Sequence, residues 1–333
     1  MGRRAARATT FIVALASAVG FVTVYQPPRA LARAPFGDHV PLDSMMPRAV
    51  LARSAFGRSG ALQVRFALPG ERVNYPLELQ GDTARLDYAW ERLTDSLPAA
   101  ALRVFTGDSL VVPADPGFYQ LALVRNGIRR VVDGLTLAVL VPFDEKKGPL
   151  LDGYRIGTYR AERHRDADVD LPAGFVKVTA SEADLQITKH LRLSDFLTHD
   201  GQDGWPRYAA VNPRVLDKLE LVVERIAHRL GERTPEVELE VHSAYRTPAW
   251  NRRVPRAARD SRHQYGDAVD VAIDANADGR MDARDARLVA AAVDSVEAEY
   301  PDLVGGMGVY TSGRYRHPYV HIDARGKRAR WRG

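Results

Sequence analysis

The chain has 333 residues, 45% hydrophobic and 27% charged, the balance of a soluble globular protein long enough for two cores. It has no cysteine, which excludes disulfides and thiolate metal sites and leaves His, Asp, Glu and backbone oxygen for any metal. The net charge of +5 is no nucleic-acid signal: Arg3, Arg4, Arg7 and Arg29 fall in an N-terminal leader, and without residues 1–32 the charge drops to +1.

In that leader the arginines precede an apolar run from Phe11 to Tyr25, followed by Ala30-Leu31-Ala32. Basic start, apolar run and small-residue site in this order predict a secretory signal peptide over residues 1–32. The run is also near the lower limit for a membrane helix, so an uncleaved N-terminal anchor is the alternative. Either form exports the protein to the periplasm or cell envelope, in the second case with a membrane tether. Residues 33–58 carry Pro35, Pro41 and Pro47 without periodicity and read as a linker.

From Ala61 the texture becomes alternating. Leu62–Phe66 and Arg85–Trp90 have period two, Leu110–Pro113 and Leu135–Val141 are apolar runs, and Tyr119–Val124 leads into the turn Arg125-Asn126-Gly127. These features predict a small all-β sandwich, Ig-like in style, over residues 59–143. It holds no constellation for chemistry, and its sequence does not name its partner.

Phe143–Pro149 marks the boundary to a second domain over residues 144–333, which opens with a lead-in segment. His164, His190 and His199 in that segment read as surface or structural histidines. A helix is predicted from Asn212, with Pro213 at its first position, to Gly231; Val215, Leu216, Leu219, Val222, Val223, Ile226 and Leu230 form its apolar stripe. A strand follows at Val237–Val241 and a second helix at Ala283–Tyr300. Gly305–Tyr310 and Tyr319–Ile322 read as a closing strand pair. The tail Lys327-Arg328-Ala329-Arg330-Trp331-Arg332 reads as a solvated end.

The chemistry concentrates in Ser261-Arg262-His263-Gln264-Tyr265-Gly266-Asp267-Ala268-Val269-Asp270. Imidazole and carboxylate both suit Zn²⁺, and a catalytic zinc takes three protein ligands with one position left open. His321, between Val320 and Ile322, supplies a third. On the alternating strand 268–273 Asp270 points away from Val269 and Val271, and His321 points away from its own apolar neighbours. Downstream, Asp274, Asn276, Asp278, Arg280, Asp282 and Asp285 fall at positions 1, 3, 5, 7, 9 and 12 of an EF-hand loop pattern, with Gly279 at position 6. Aspartate replaces the usual glutamate at position 12. The expectation is a structural Ca²⁺ that clamps the strand bearing Asp270.

The pattern S-x-H-x-x-G-x-A-x-D, followed by an apolar-His-apolar strand, resembles the zinc D-Ala-D-Ala carboxypeptidases and their peptidoglycan-cutting relatives. The resemblance covers about residues 180–333. It implies an α+β domain of the lysostaphin/D-Ala-D-Ala-peptidase/hedgehog type, with an antiparallel sheet and flanking helices, and zinc held by His263, Asp270 and His321. It implies peptidoglycan stem peptides as substrate, and the charge balance adds no nucleic acid as partner. Ser243-Ala244-Tyr245-Arg246-Thr247 is similar to the family's S-x-Y-R-[ST] segment, where the arginine meets the substrate carboxylate. A guanidinium suits that task through two parallel hydrogen bonds. Tyr245 and Ser261 are grouped with Arg246 as substrate contacts. The chain departs from the family at the general base: where many members have glutamate three residues before the last ligand, Pro318 stands here. His317 is the first candidate for the proton and Asp323 the second. The departure also raises a second reading, a non-catalytic binding module that keeps the ion and the fold.

Overall fold

The helix expected after Asn212 runs Pro213–Leu230 (α1), and the Asn212 side chain accepts from the backbone N–H of Arg214 as its N-cap. Gly231 ends it, and Val215, Leu216, Leu219, Val222, Val223 and Ile226 are buried along its stripe. The structure, a computed structural model, describes residues 46–51, 56–75, 77–94, 102–105, 109–163, 171–231, 237–311 and 318–333. The expected signal or anchor, most of the expected linker, His164 and His317 lie outside them.

Residues 59–142 contain only strands as regular elements among the described residues. Val64–Ala67 pairs in parallel with Thr136–Val139, which runs antiparallel to Gly117–Arg125. The last of these pairs with Asp87–Arg92 and, across the turn at Asn126-Gly127, with Ile128–Val131. Arg48–Leu51 with Leu77–Gln80, and Arg72–Val73 with Leu110–Val111, form two further ladders. Trp90 is buried, and its indole N–H donates to the Val111 carbonyl at 2.9 Å.

Hydrogen bonds tie this β region to the C-terminal half of the chain. Val141–Pro142 pairs with Gly174–Val178, which pairs with Arg207–Ala209. The backbone N–H of Gln63 donates to the Ile187 carbonyl at 2.9 Å, and that of Lys189 to the Ala61 carbonyl at 3.0 Å. Asp217 on α1 accepts from the backbone N–H groups of Arg58 and Ser59.

The C-terminal part is a five-stranded sheet backed by helices. Its strands are β1 (Leu239–Ser243), β2 (Ala268–Ile273), β3 (Gly306–Tyr310), β4 (Tyr319–Asp323) and β5 (Ala329–Arg332), in the order β1-β2-β4-β3-β5. All pairs are antiparallel except β3 with β5. The second long helix, α2 (Ala283–Glu299), packs against α1 and against β2, β3 and β4. Alternation divides the sheet cleanly. Val269, Val271, Val320 and Ile322 are fully buried on the opposite parity from Asp270 and His321.

Two expectations shift. The strand expected at Val237–Val241 lies at Leu239–Ser243, with a bulge between Val241 and Ser243 that sets Ser243 opposite Asp270. The basic tail is no solvated end: Ala329–Arg332 adds to the sheet edge beside β3. Its alternation of arginines with Ala329 and Trp331 carries the period of a strand, which its charge obscures.

Candidate metal centre

Register brings the site together. Ser243, Asp270, His321, Gly308 and Trp331 are successive cross-strand partners, one from each strand, and so form a single row on one face. Gly308 is required in that row. A Cβ there would stand 2.2 Å from the Trp331 indole nitrogen, so glycine lets the indole lie across β3 toward His321, 5.1 Å away between ring centres.

His263 arrives on the tight helical turn Arg262–Tyr265, which Ser261 precedes and which comes just before β2 in the chain. Gly266 ends the turn at φ 68°, and a Cβ there would lie 2.2 Å from the Ala210 carbonyl oxygen. The glycine of the motif thus meets both a left-handed backbone and a close approach. His263, Asp270 and His321 are all buried, and they are the group of three ligand-bearing side chains that converges among the described residues. His263 Nε2 lies 3.1 Å from His321 Nδ1 and 3.2 Å from Asp270 Oδ1, and His321 Nδ1 lies 2.8 Å from the same oxygen.

The triangle has the dimensions of a zinc ligand set, since tetrahedral bonds of about 2.0–2.1 Å place donor atoms about 3.3 Å apart. Hydrogen bonding on the far side of each ring decides its tautomer. His263 Nδ1 faces the Ala244 carbonyl at 2.6 Å, which only accepts, so that nitrogen carries the proton and Nε2 presents a lone pair. His321 Nε2 faces Asp323 Oδ2 at 3.1 Å, and by the same logic Nδ1 presents the second lone pair. Two lone pairs and a carboxylate oxygen then converge with no donor among them, an arrangement that needs a cation. Zinc fits it.

Without a metal, the charges show the same demand. Burial would raise the Asp270 carboxyl, but His263 and His321 outweigh it and hold the group well below the carboxylate range. For His321 burial works toward the neutral ring, yet hydrogen bonds that it donates to the Asp270 and Asp323 carboxylates push it up to about 9. Burial dominates at His263 and lowers it. A proton on His321 stands in for the cation.

The remaining sequence candidates separate by position. Arg246 Nη2 donates to Asp270 Oδ2 at 2.5 Å and Nε to Ser243 Oγ at 2.7 Å, so it braces the metal-facing carboxylate while lining the cleft. Ser261 lines the same cleft. Tyr245 does not: it is 1% exposed, and its hydroxyl meets that of Tyr159 at 3.1 Å beneath the site. The expected substrate contact is instead a core residue, because the segment turns inward before Arg246. Asp323 is fully buried and contacts the His321 nitrogen opposite the triangle. It also accepts from the Gly306 N–H at 2.7 Å and from Arg325 Nε at 2.9 Å. This is the placement of a group that orients a ligand, not of one that reaches the open side.

Over the triangle lies a cleft of about 640 Å³ whose rim includes Arg256, Arg325, Tyr310, Tyr319 and Trp331. Tyr310 and Tyr319 stack at 4.5 Å, and the Trp331 indole donates to the Tyr310 hydroxyl at 2.8 Å. Sequence reasoning missed this aromatic wall. Tyr319 has the parity of His321 and was legible from it, whereas Trp331 depends on β5.

The loop 274–285 is closed largely on itself. Asp274 accepts from the N–H groups of Asp278 and Gly279, and Asp278 from that of Arg280. Asp285 accepts from Ala275 and Asp282, in a capping box that starts α2 with Asp282 as N-cap. The Asn276 carboxamide is buried with neither its oxygen nor its nitrogen partnered.

Residues 190–293 match the family model described as Peptidase M15, which bears out the zinc D-Ala-D-Ala carboxypeptidase-type resemblance carried by the motif. The matched segment contains Arg246, His263 and Asp270 and ends before His321. No curated protein matches the chain. The match supports a peptidase, hence a hydrolase, of a zinc-dependent family.

Proposed function

We propose that the chain is an exported zinc metallopeptidase that cuts peptidoglycan stem peptides, as a carboxypeptidase or endopeptidase. The observation that carries this reading is the triangle of His263 Nε2, Asp270 Oδ1 and His321 Nδ1 at the floor of a cleft rimmed by arginines and aromatic rings. A zinc ion held there would acidify water and polarise a peptide carbonyl. Ala244 and Asp323 fix the two imidazoles, and Arg246 fixes the carboxylate while offering positive charge to a substrate carboxylate. The leader over residues 1–32 delivers the protein to the envelope, and the β region, read as an Ig-like sandwich, spaces or docks it. Incubating the zinc-loaded protein with purified peptidoglycan should release peptide or D-alanine fragments identifiable by mass spectrometry. Intact peptidoglycan after prolonged incubation, with zinc bound, would favour the non-catalytic binding module.

His317 is assigned the proton. Neutral imidazole serves near pH 7 as both acceptor and donor. His317→Ala should keep its zinc and lose turnover by about a hundredfold to ten-thousandfold. Turnover at the wild-type rate removes His317 from the reaction.

Zinc uptake should also be coupled to pH. In the metal-free protein His321 is raised to about 9, so below that pH it is protonated, and a metal must displace the proton. Affinity should rise with pH up to about 9 and then level off. Calorimetry at neutral pH in buffers of different ionisation enthalpy should detect the released proton; equal heats across buffers would contradict the assignment.

Calcium in the 274–285 loop belongs to the same proposal, supported by the loop pattern and the unpartnered Asn276 carboxamide. A native-state ligand at a hundredfold excess over its Kd stabilises by about 2.7 kcal/mol. The melting temperature should therefore rise with calcium in the wild type and not in Asp278→Ala. A wild-type melt indifferent to calcium and to a calcium-selective chelator would end this reading of the loop.

A further inference from the structure

A second cavity of about 640 Å³ adjoins the metal cleft; Val254 and Ala257 line both. Four arginines surround it, Arg160 and Arg163 from one segment and Arg252 and Arg259 from the loop that separates the two cavities. All four are exposed, and none pairs with a carboxylate among the described residues. Glu162, their neighbour, is committed elsewhere: it binds Lys146 Nζ at 2.6 Å and accepts from the Tyr159 N–H at 2.6 Å. Four like charges around one hollow repel each other, and an anion in the hollow relieves that repulsion.

A second observation points to the kind of anion. Asn251 lines the same cavity and is 3% exposed. Its Nδ2 donates to the Ala258 carbonyl at 2.9 Å, while Oδ1 is buried without a partner. A buried acceptor left open calls for an N–H or O–H donor. An acidic peptide supplies both needs: carboxylates for the guanidinium groups, which bind them in parallel pairs, and amide N–H for Asn251. A phosphodiester or a sulfate offers charge but no donor.

We propose that this cavity is a second subsite that binds an internal carboxylate of an acidic peptide whose other end occupies the metal cleft. Only the placement of that other end rests on the peptidase reading, so the subsite is tested by binding and not by turnover. The probe is a fluorescently labelled pentapeptide ending in D-Ala-D-Ala with one internal glutamyl carboxylate, compared with the same peptide amidated at that carboxylate. Initial anisotropy with the full chain, read before any turnover accumulates, gives both affinities. The acidic peptide should bind about tenfold more tightly. Arg160→Gln/Arg252→Gln should bind the two peptides equally while retaining its zinc, and the charge-matched control Arg48→Gln/Arg229→Gln should keep the preference. Equal binding of both peptides by the wild type, or a preference that survives in Arg160→Gln/Arg252→Gln, overturns the proposal. Displacement of the acidic peptide by inorganic phosphate at lower concentration than by glutarate overturns the carboxylate assignment in favour of phosphate groups. If peptidoglycan is never cut, the binding preference still stands; a peptidase that binds both peptides alike loses this subsite and keeps its activity.

Discussion

Asp270→Ala is expected to abolish stoichiometric zinc binding, and with it any hydrolysis. The substitution removes the oxygen that both imidazole nitrogens face at 2.8 and 3.2 Å, and it frees Arg246 to put positive charge where the cation would sit. Two neutral ligands beside an unpaired guanidinium make a poor site for a divalent ion. Asp323→Asn should be milder, about tenfold to a hundredfold in affinity, because it weakens only the group behind His321. Metal analysis after dialysis against trace zinc separates the outcomes. Full zinc content in Asp270→Ala would dismantle the proposed ligand set.

The largest effect on stability is expected away from the cleft, at Lys218. This residue is wholly buried on α1, and its Nζ donates at 2.7 Å both to Glu297 Oε1 on α2 and to the carbonyl of Asp323 on β4. Burial pulls its ammonium below the usual lysine range, against the pull of Glu297. Glu297 in turn accepts from the Gly305 N–H and from Arg330 on β5. One buried ion pair therefore joins both helices to the strand that bears His321. Lys218→Ala leaves Glu297 desolvated with Arg330 as its remaining charged partner and also removes the donor to the Asp323 carbonyl, so it should cost about 3–5 kcal/mol in urea unfolding. Lys218→Met/Glu297→Gln, which removes both charges and keeps an acceptor for Gly305, should recover much of that loss. A loss below about 1 kcal/mol for Lys218→Ala would mean that water reaches the pair.

Some of this protein was determined locally. The bounds of α1 followed from Asn212, Pro213 and Gly231, since caps and the proline at the first position act within one turn. The facing of Asp270 and His321 followed from period-two alternation, which is a property of each strand alone. The ligand chemistry followed from residue type, with cysteine absent and histidine and aspartate at motif spacing.

Tertiary structure decided the rest. Which strands neighbour each other sets whether Asp270 and His321 become cross-strand partners, and chain separation does not reveal that. The bulge before Ser243 puts its hydroxyl beside Arg246, and Arg246 acquires Asp270 as partner only once β1 and β2 are in register. Tyr245 has the look of a cleft residue in sequence but is buried, because orientation in a non-repeating segment is fixed by what it packs against. Charge alone assigned the C-terminal tail to solvent. The sheet instead offered it a free edge at β3, and Gly308 left room for Trp331, so a segment with the composition of a loose end supplies one wall of the site. Lys218 shows the same limit from the opposite side. On a helical wheel it is one charged residue among several in α1, and only the depth at which α1, α2 and β4 meet makes it a buried charge with two partners.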